Sequence, residues 1–337
     1  MATLDVFRQR AFHTVELTSA LNKEPHLPQL LGDLNLFEVR RVRTTTVAVE
    51  QKHGQLAIIQ TSQRGAPLER NQAEKRDIRD FRTVRIAEGD RITADEVQDI
   101  RAFGSESELM QVQQEVADRL RSLRRNVQLT HEHMRLGAIK GEILDADGST
   151  IRNWFSEWGV SQPSEVNLEL GTAETDVRSK SNQVVRAMAK EAKGVWTPQT
   201  EVHALAGDNF FDQLTSHPSV RDTFKNWSAA EALRQGNAFQ AFPFGGVMWH
   251  NYRGTDDGST VSVGTDKAHF FPVNAPGAFE VAYSPAETFD FANTRGQEMY
   301  AMVLPDERRN AYVDIEVYSY PLHICTRPKM LRRARAA

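Results

Sequence analysis

Between Ser105 and Lys140 apolar residues return mainly every third or fourth position: Leu109, Val112, Val116, Leu120, Leu123, Val127 and Met134. Neither Pro nor Gly interrupts the stretch from Glu106 to Leu136, and Ser105 with Glu108 three residues later has the form of a capping box. The spacing predicts one helix over 105–140, roughly 50 Å long at ~1.5 Å per residue, against the ~11–12 residues of an ordinary helix. Such a helix reads as a spine along one flank of a domain.

Elsewhere the period is two. From Phe37 to about Ser62, Val39, Val42, Val47 and Val49 stand among Thr and Arg, with "KHGQ" as a turn between two runs. The polar faces of these strands offer little to bury, and two strands alone are marginal in water. "EILDADGSTIR" has the pattern of a hairpin turning at Asp147-Gly148. A second amphipathic helix is expected over "VRSKSNQVVRAMAKEAKG", with Val177, Val184, Val185 and Met188 inward, stopped by Gly194 and Pro198. A strand from Glu201 to Ala206 then feeds short helices, "AFPFGGVMWHNYRG" gives another strand, and Asp257-Gly258 a second turn. The C-terminal part is strand-rich through "KAHFFPV", "FEVAYS" and "AYVDIEVYSYPLHICT". Strands and helices do not alternate as a doubly wound sheet requires, so the class is α+β.

Two segments do not suit a self-contained domain. Residues 1–36 are a short amphipathic start broken by Pro25 and Pro28, an arm that needs something else to pack against. Arg64 to Arg91 is dense in both charges, which fits either a solvated loop or an extended flap laid across a neighbouring subunit.

Composition narrows the class without naming it. The 337 residues are 40% hydrophobic and 26% charged, enough for a core, and a net charge of −4 gives no reason to expect a nucleic-acid binder overall. Cys325 is the single cysteine, so neither an internal disulfide nor a cysteine zinc site within one chain is available. The N-terminus lacks a secretory pattern and no window reaches the ~18 apolar residues of a membrane span, so a soluble, intracellularly made protein is expected.

The candidate chemistry thins out on counting. Asp145, Asp147, Gly148 and Ser149 crowd like calcium ligands, yet from Asp145 the glycine falls at position 4 and Ser156 at position 12, which breaks the calcium-loop register. A turn held by Asp carboxylates on backbone amides is the reading that fits. In "HEHMR", His131 and His133 lie two apart, about 200° around a helix, and so cannot share one ion; a surface helix with two histidines is expected. No phosphate loop, dinucleotide fingerprint or nucleophile elbow occurs. Gly245-Gly246 is expected as a strand kink, and His203, His217, His250 and His269 show no spacing for a shared site. No catalytic residue, cofactor or metal site is assigned. The tail "RPKMLRRARAA" carries five cations and no acid, open to phosphate contact, a solubilising role or a docking strand.

The order of parts is itself a signal. An arm, a charged β flap with "RGAPL", the "RITADEVQDIRAFG" run into the spine helix, the "DADGS" hairpin, "VHALAGDNFFDQLTSHPSVRD" and the final "YPLHICTRPKMLRRA" together resemble the major capsid proteins of tailed bacteriophages, the lambda-like E-type family. The likeness rests on order and local similarity over nearly the whole chain. It implies an N-terminal arm (1–36), an extended E-loop and junction (37–103), a P-domain with the spine helix and hairpin (104–200), an A-domain (201–275), and return strands to the P-domain with a basic tail (276–337). It implies a shell subunit that forms hexamers and pentamers of itself around double-stranded DNA, present in the virion, made in the host cytoplasm and without membrane contact. With no long helix-rich segment before the arm, a separate scaffolding protein is expected, with a portal and, in some shells, a decoration protein. Arg64, Leu68, Arg70, Arg76, Arg79, Phe81, Arg82 and Arg85 become candidate intersubunit contacts. An encapsulin-like nanocompartment shell, a hydrolase with an unrecognised site and a nucleic-acid module are the alternatives.

Overall fold

The computed structural model describes residues 30–52, 76–99, 108–192, 194–225, 241–255, 261–309 and 311–337. In chain order the elements are α1 (Leu30–Asp33), β1 (Glu38–Arg41), β2 (Thr46–Lys52), β3 (Arg76–Arg82), β4 (Ile86–Thr93), α2 (Ala94–Asp99) and α3 (Glu108–Lys140). Then come β5 (Glu142–Leu144), β6 (Thr150–Asn153), α4 (Trp154–Glu157), β7 (Val166–Asn167), α5 (Val177–Glu191), β8 (Glu201–Ala206), α6 (Asp208–Ser216) and α7 (Pro218–Lys225). Strands close the chain: β9 (Phe242–Phe244), β10 (Val247–Asn251), β11 (Lys267–Val273), β12 (Phe279–Tyr283), β13 (Tyr300–Pro305), β14 (Tyr312–Ser319), β15 (Pro321–Cys325) and β16 (Arg332–Arg335).

The spine helix α3 runs 33 residues, about 50 Å. Its expected start at Ser105 and the capping box fall outside the described residues. Val116, Leu120, Leu123 and Val127 form one stripe on the antiparallel sheet β13-β14-β4, against Ile92, Val303, Ile315 and Val317. Gly141 ends the helix at φ +82°, and a Cβ there would lie 2.3 Å from the Phe155 ring, so only glycine allows the sharp reversal into the β5–β6 hairpin.

A six-stranded mixed sheet, ordered β7-β16-β11-β8-β10-β9, makes the second body of the fold. One face carries Val202, Ala204, Trp249 and Phe270 and is covered by α5 and α6 through Val184, Met188, Phe210 and Leu214, with Val220 of α7 in the same cluster. Asp176 caps α5 by accepting from Ser179 N at 3.0 Å. The other face carries Leu205, Phe271 and Val273 and joins a central cluster with Met134, Leu136, Ile139, Trp154 and Phe279. A third sheet, β1-β12-β15, pairs β1 with β12 in parallel across more than two hundred residues of sequence.

Several expectations change here. The core clusters place α5 with the six-stranded sheet, so a boundary at residue 200 cuts through one packed unit. The basic "tail" is no tail: β16 is an inner strand between β7 and β11, with Met330, Leu331, Ala334 and Ala336 buried. Gly245-Gly246 is not a kink within a strand but the two-residue loop of the β9–β10 hairpin, at φ +61° and +75° as such a turn demands. The arm packs in part on its own chain, since Leu31 is buried in the central cluster with Leu30, Leu34 and Leu36 beside it. Asp257-Gly258 and residues 1–29 lie outside the described residues.

Candidate functional site

The flap is a two-stranded ribbon with a buried root. β2 and β3 pair in register from Thr46↔Arg82 to Lys52↔Arg76. Alternation turns Val47 and Val49 inward, and Phe81 on the facing strand joins them. The Phe81 ring meets Trp154 edge-on at 5.3 Å and Trp158 at 6.0 Å, and the Arg152 guanidinium stands 5.8 Å over it. Trp158 is fixed in turn by its indole N–H, which donates to the Cys325 carbonyl at 2.9 Å. No third strand flanks β2 or β3 among the described residues, so the ribbon has two open edges.

The proposed contact residues therefore divide. Arg64, Leu68 and Arg70 lie outside the described residues, and Arg76 is placed only as a strand position. Phe81 is 3% exposed and belongs to this subunit's own core, which corrects its assignment as a contact: its side chain anchors the ribbon. Arg79 lies 5.7 Å over the Trp158 ring. Arg85 pairs with Glu287 at 3.3 Å and covers Tyr318 at 5.1 Å within the same chain, although half of it stays exposed. Arg82 is exposed and makes no ion pair among the described residues.

Other apolar side chains face outward. Phe289 is fully exposed on a short 3-10 turn between β12 and β13. Val39 and Leu304 are exposed on β1 and β13, and each of those strands is the edge of its sheet. Edge strands bearing apolar side chains are the positions at which another chain is most readily accepted.

The DADGS hairpin has its carboxylates turned onto its own backbone. Asp145 Oδ1 accepts from Ala146 N at 2.7 Å, Asp147 Oδ1 accepts from Ser149 N at 2.8 Å, and Gly148 N donates to the Asp145 carbonyl at 3.0 Å. The hydrogen bonds from Ser149 hold the Asp147 carboxyl below its ordinary range. Among the described residues no group of three or more His, Cys, Asp or Glu is placed to hold a metal.

The histidines depart most from expectation. His131 is wholly buried, not on a surface: its Nε2 lies 3.0 Å from Ser319 Oγ and its ring stands edge-on to His323. His133 is half-buried beside the Leu144 carbonyl. Glu132 is also buried, accepting from Leu31 N at 3.0 Å and from the Tyr252 hydroxyl at 3.3 Å, with Arg135 at 3.4 Å. His203 and His250, 47 residues apart, stack on adjacent parallel strands with Nε2 of one 2.9 Å from Nδ1 of the other. Burial, then the neighbouring ring, pulls His250 down to about 4, so the pair is neutral at neutral pH and one N–H bridges it. Only the pairing of "VHALA" with "VMWHN" could have revealed this. Buried or half-buried within their own subunit, these groups are architectural. Burial likewise pushes the Cys325 thiol up to about 12, far from a reactive thiolate.

A rooted ribbon, a long spine helix and open strand edges are what stand out among the described residues. Comparison of the fold gives its class. The putative capsid protein of an Escherichia coli CFT073 prophage superposes with a TM-score of 0.54 at 13% identity, over 96% of this chain and 99% of that one. The capsid of an empty GTA particle gives 0.52 at 10% identity, over 93% and 92%. Sequence gives the family. The model of phage major capsid protein E matches residues 13–336, and the chain belongs to that family. It is 27% identical to the major capsid protein of Salmonella phage Felix O1 over 96% of both chains, and 28% identical to that of Pseudomonas phage KPP10 over 98% of both. Its role is structural: it is a subunit of an icosahedral phage head and part of the virion. These relatives do not favour the nanocompartment alternative. No helix among the described residues is long and apolar enough to cross a membrane.

Proposed function

We propose that copies of this chain close into hexamers and pentamers that tile the head around double-stranded DNA, with the β2–β3 ribbon of each subunit laid over its neighbour. The ribbon carries this reading. Its root is fastened by Val47, Val49 and Phe81, while its two strands leave the core unflanked. A two-stranded ribbon is marginal in water alone and becomes stable when a further surface covers it. Arg82, Val39, Phe289 and Leu304 are then contacts between copies, and Arg64, Leu68 and Arg70, outside the described residues, remain contact candidates from the sequence.

The two bodies take the two places of such a tile. The unit of α3 with β4, β13 and β14 is the peripheral P-domain, and the six-stranded sheet with α5, α6 and α7 is the axial A-domain. A net charge of −4 suits a container whose wall must not hold its DNA tightly, and enclosure needs no base-specific contact. A separate scaffolding protein and a portal complete the set of partners, and synthesis takes place in the host cytoplasm.

The test is expression of the chain with and without a candidate scaffold, followed by electron microscopy and light scattering. Closed shells or hexamer-sized capsomers are expected. A chain that stays monomeric under every condition would overturn the reading. Phe289→Asp, on a side chain with no packing role in the subunit, should cut particle yield while the monomer melts as before.

A further inference from the structure

One recess in the molecule gathers cations. Where the last turn of α3 meets β11 and β16, a narrow recess, partly open to solvent, is lined by Lys140, His269, Arg332 and Arg333 together with Gln162 and Pro163. No Asp or Glu lines it. The fold brings these groups together from distant sequence. Lys140 is the final residue of the spine helix, where the helix carbonyls favour a cation. Antiparallel pairing of β11 with β16 sets His269 opposite Arg333.

The donors differ in what they already hold. Arg332 is occupied by its own fold, donating to the carbonyls of Lys329, Leu331 and Ala187. Lys140 Nζ donates to the Ser262 carbonyl at 2.8 Å and keeps its other N–H groups. Arg333 has no hydrogen bond or ion pair among the described residues, and its Nε is buried without an acceptor. His269 has none either. The neighbouring Lys267 is engaged by Glu165, at 2.7 and 2.9 Å, and brings no free carboxylate to the pocket. Burial pulls Lys140 down, and burial with the charges of Lys140, Arg333 and Lys267 pulls His269 to about 3. Unfilled cationic donors crowded in a desolvated recess are costly unless an anion joins them.

We propose that this pocket is an oxyanion site, formed by Lys140, His269 and Arg333, that takes a phosphate group as a free inorganic ion. Donors of three shapes on three elements suit a compact anion with oxygens pointing several ways, whereas a planar carboxylate is matched by a single guanidinium fork. The ion has a structural role. The end of α3 packs in the central cluster, while Ala334 and Ala336 beside Arg333 pack in the cluster of the six-stranded sheet. One bound ion ties the two bodies together at their seam.

The test uses the purified full-length chain, melted at neutral pH while inorganic phosphate replaces chloride at constant ionic strength. The midpoint should rise with the logarithm of phosphate concentration above the dissociation constant, by roughly 3 °C at tenfold that constant. Lys140→Met and Arg333→Gln should each abolish the rise while melting in chloride no lower than the parent, because a like-charge contact is relieved. Titration calorimetry of the parent, which needs no variant, should give one ion per chain. A flat midpoint without saturable heat overturns the proposal, as does a rise that both variants keep. A short DNA duplex that displaces phosphate and raises the midpoint further assigns the pocket to polymer backbone and overturns the free-ion reading. A duplex without effect supports it.

Discussion

The spine helix passes through two environments, and the contrast between its halves separates what a sequence displays from what only a fold creates. From Val116 to Val127 it is amphipathic: one stripe lies on β4, β13 and β14, and Asp118, Arg121, Arg125 and Asn126 face water. From His131 to Lys140 it is enclosed, and every residue but His133 and Lys140 is buried. The arm, β12, β15 and the loop after β10 all close around that second half, and polar side chains are shut in with it. The first half is held by area, the second by area and by a polar network that must be complete.

Glu132 is where the contrast should break most sharply. Glu132→Ala leaves Arg135 buried without its carboxylate and strips Leu31 N and the Tyr252 hydroxyl of an acceptor. It should lower stability by about 3–5 kcal/mol, read as the urea midpoint of the unassembled chain. Glu132→Gln, which can still accept from Leu31 N and Tyr252, should cost distinctly less. In the amphipathic half, Leu123→Ala removes only apolar contact and should cost about 2–3 kcal/mol, with the same hydrogen-exchange pattern over the rest of the helix.

Acid should divide the halves in the same direction. Burial, with the charges of His131 and Arg135, holds His323 well below the ordinary histidine range. A histidine depressed in the folded state contributes stability that is fully present above the unfolded value of ~6.5 and is lost as pH falls toward the folded one. Protection of the 131–140 amides should therefore drop relative to 116–127, by about tenfold per pH unit below 6.5 for each histidine that must charge. Equal loss in both halves would remove the distinction. The smallest effect belongs to the exposed Asp118–Arg121 pair: Arg121→Ala should change stability by less than about 0.5 kcal/mol.

The same contrast explains which elements could be read in advance. The stripe Val116-Leu120-Leu123-Val127 shows because water covers the opposite face, and the Asp147-Gly148 turn shows because its chemistry is local. His131 read as a surface residue because the groups that bury it, Ser319 and His323, stand some 190 positions further on. Arg332 to Arg335 read as a tail because charge outweighs the small apolar residues that make it a strand, and its partners Val166 and Ala268 are remote in sequence. Alternation showed β2 through Val47 and Val49, but its partner β3 lies in the charged run read as loop or flap, and the division of labour within the ribbon stayed hidden too. Phe81 and Arg82 are adjacent, and only the cage of Trp154 and Trp158 makes one an anchor and leaves the other outside. The cationic pocket depended on strand register and stayed invisible for the same reason.

The inner position of β16 governs when a subunit can be finished. During synthesis β7, β8, β9, β10 and β11 emerge first, yet β7 and β11 have no strand between them until residues 332–335 leave the ribosome. Until then the nascent chain carries a gap in its largest sheet, bounded by two unpaired strand edges. A ribosome stalled before that point yields a chain whose six-stranded sheet is incomplete, so the tile becomes competent only after residues 332–335 have emerged.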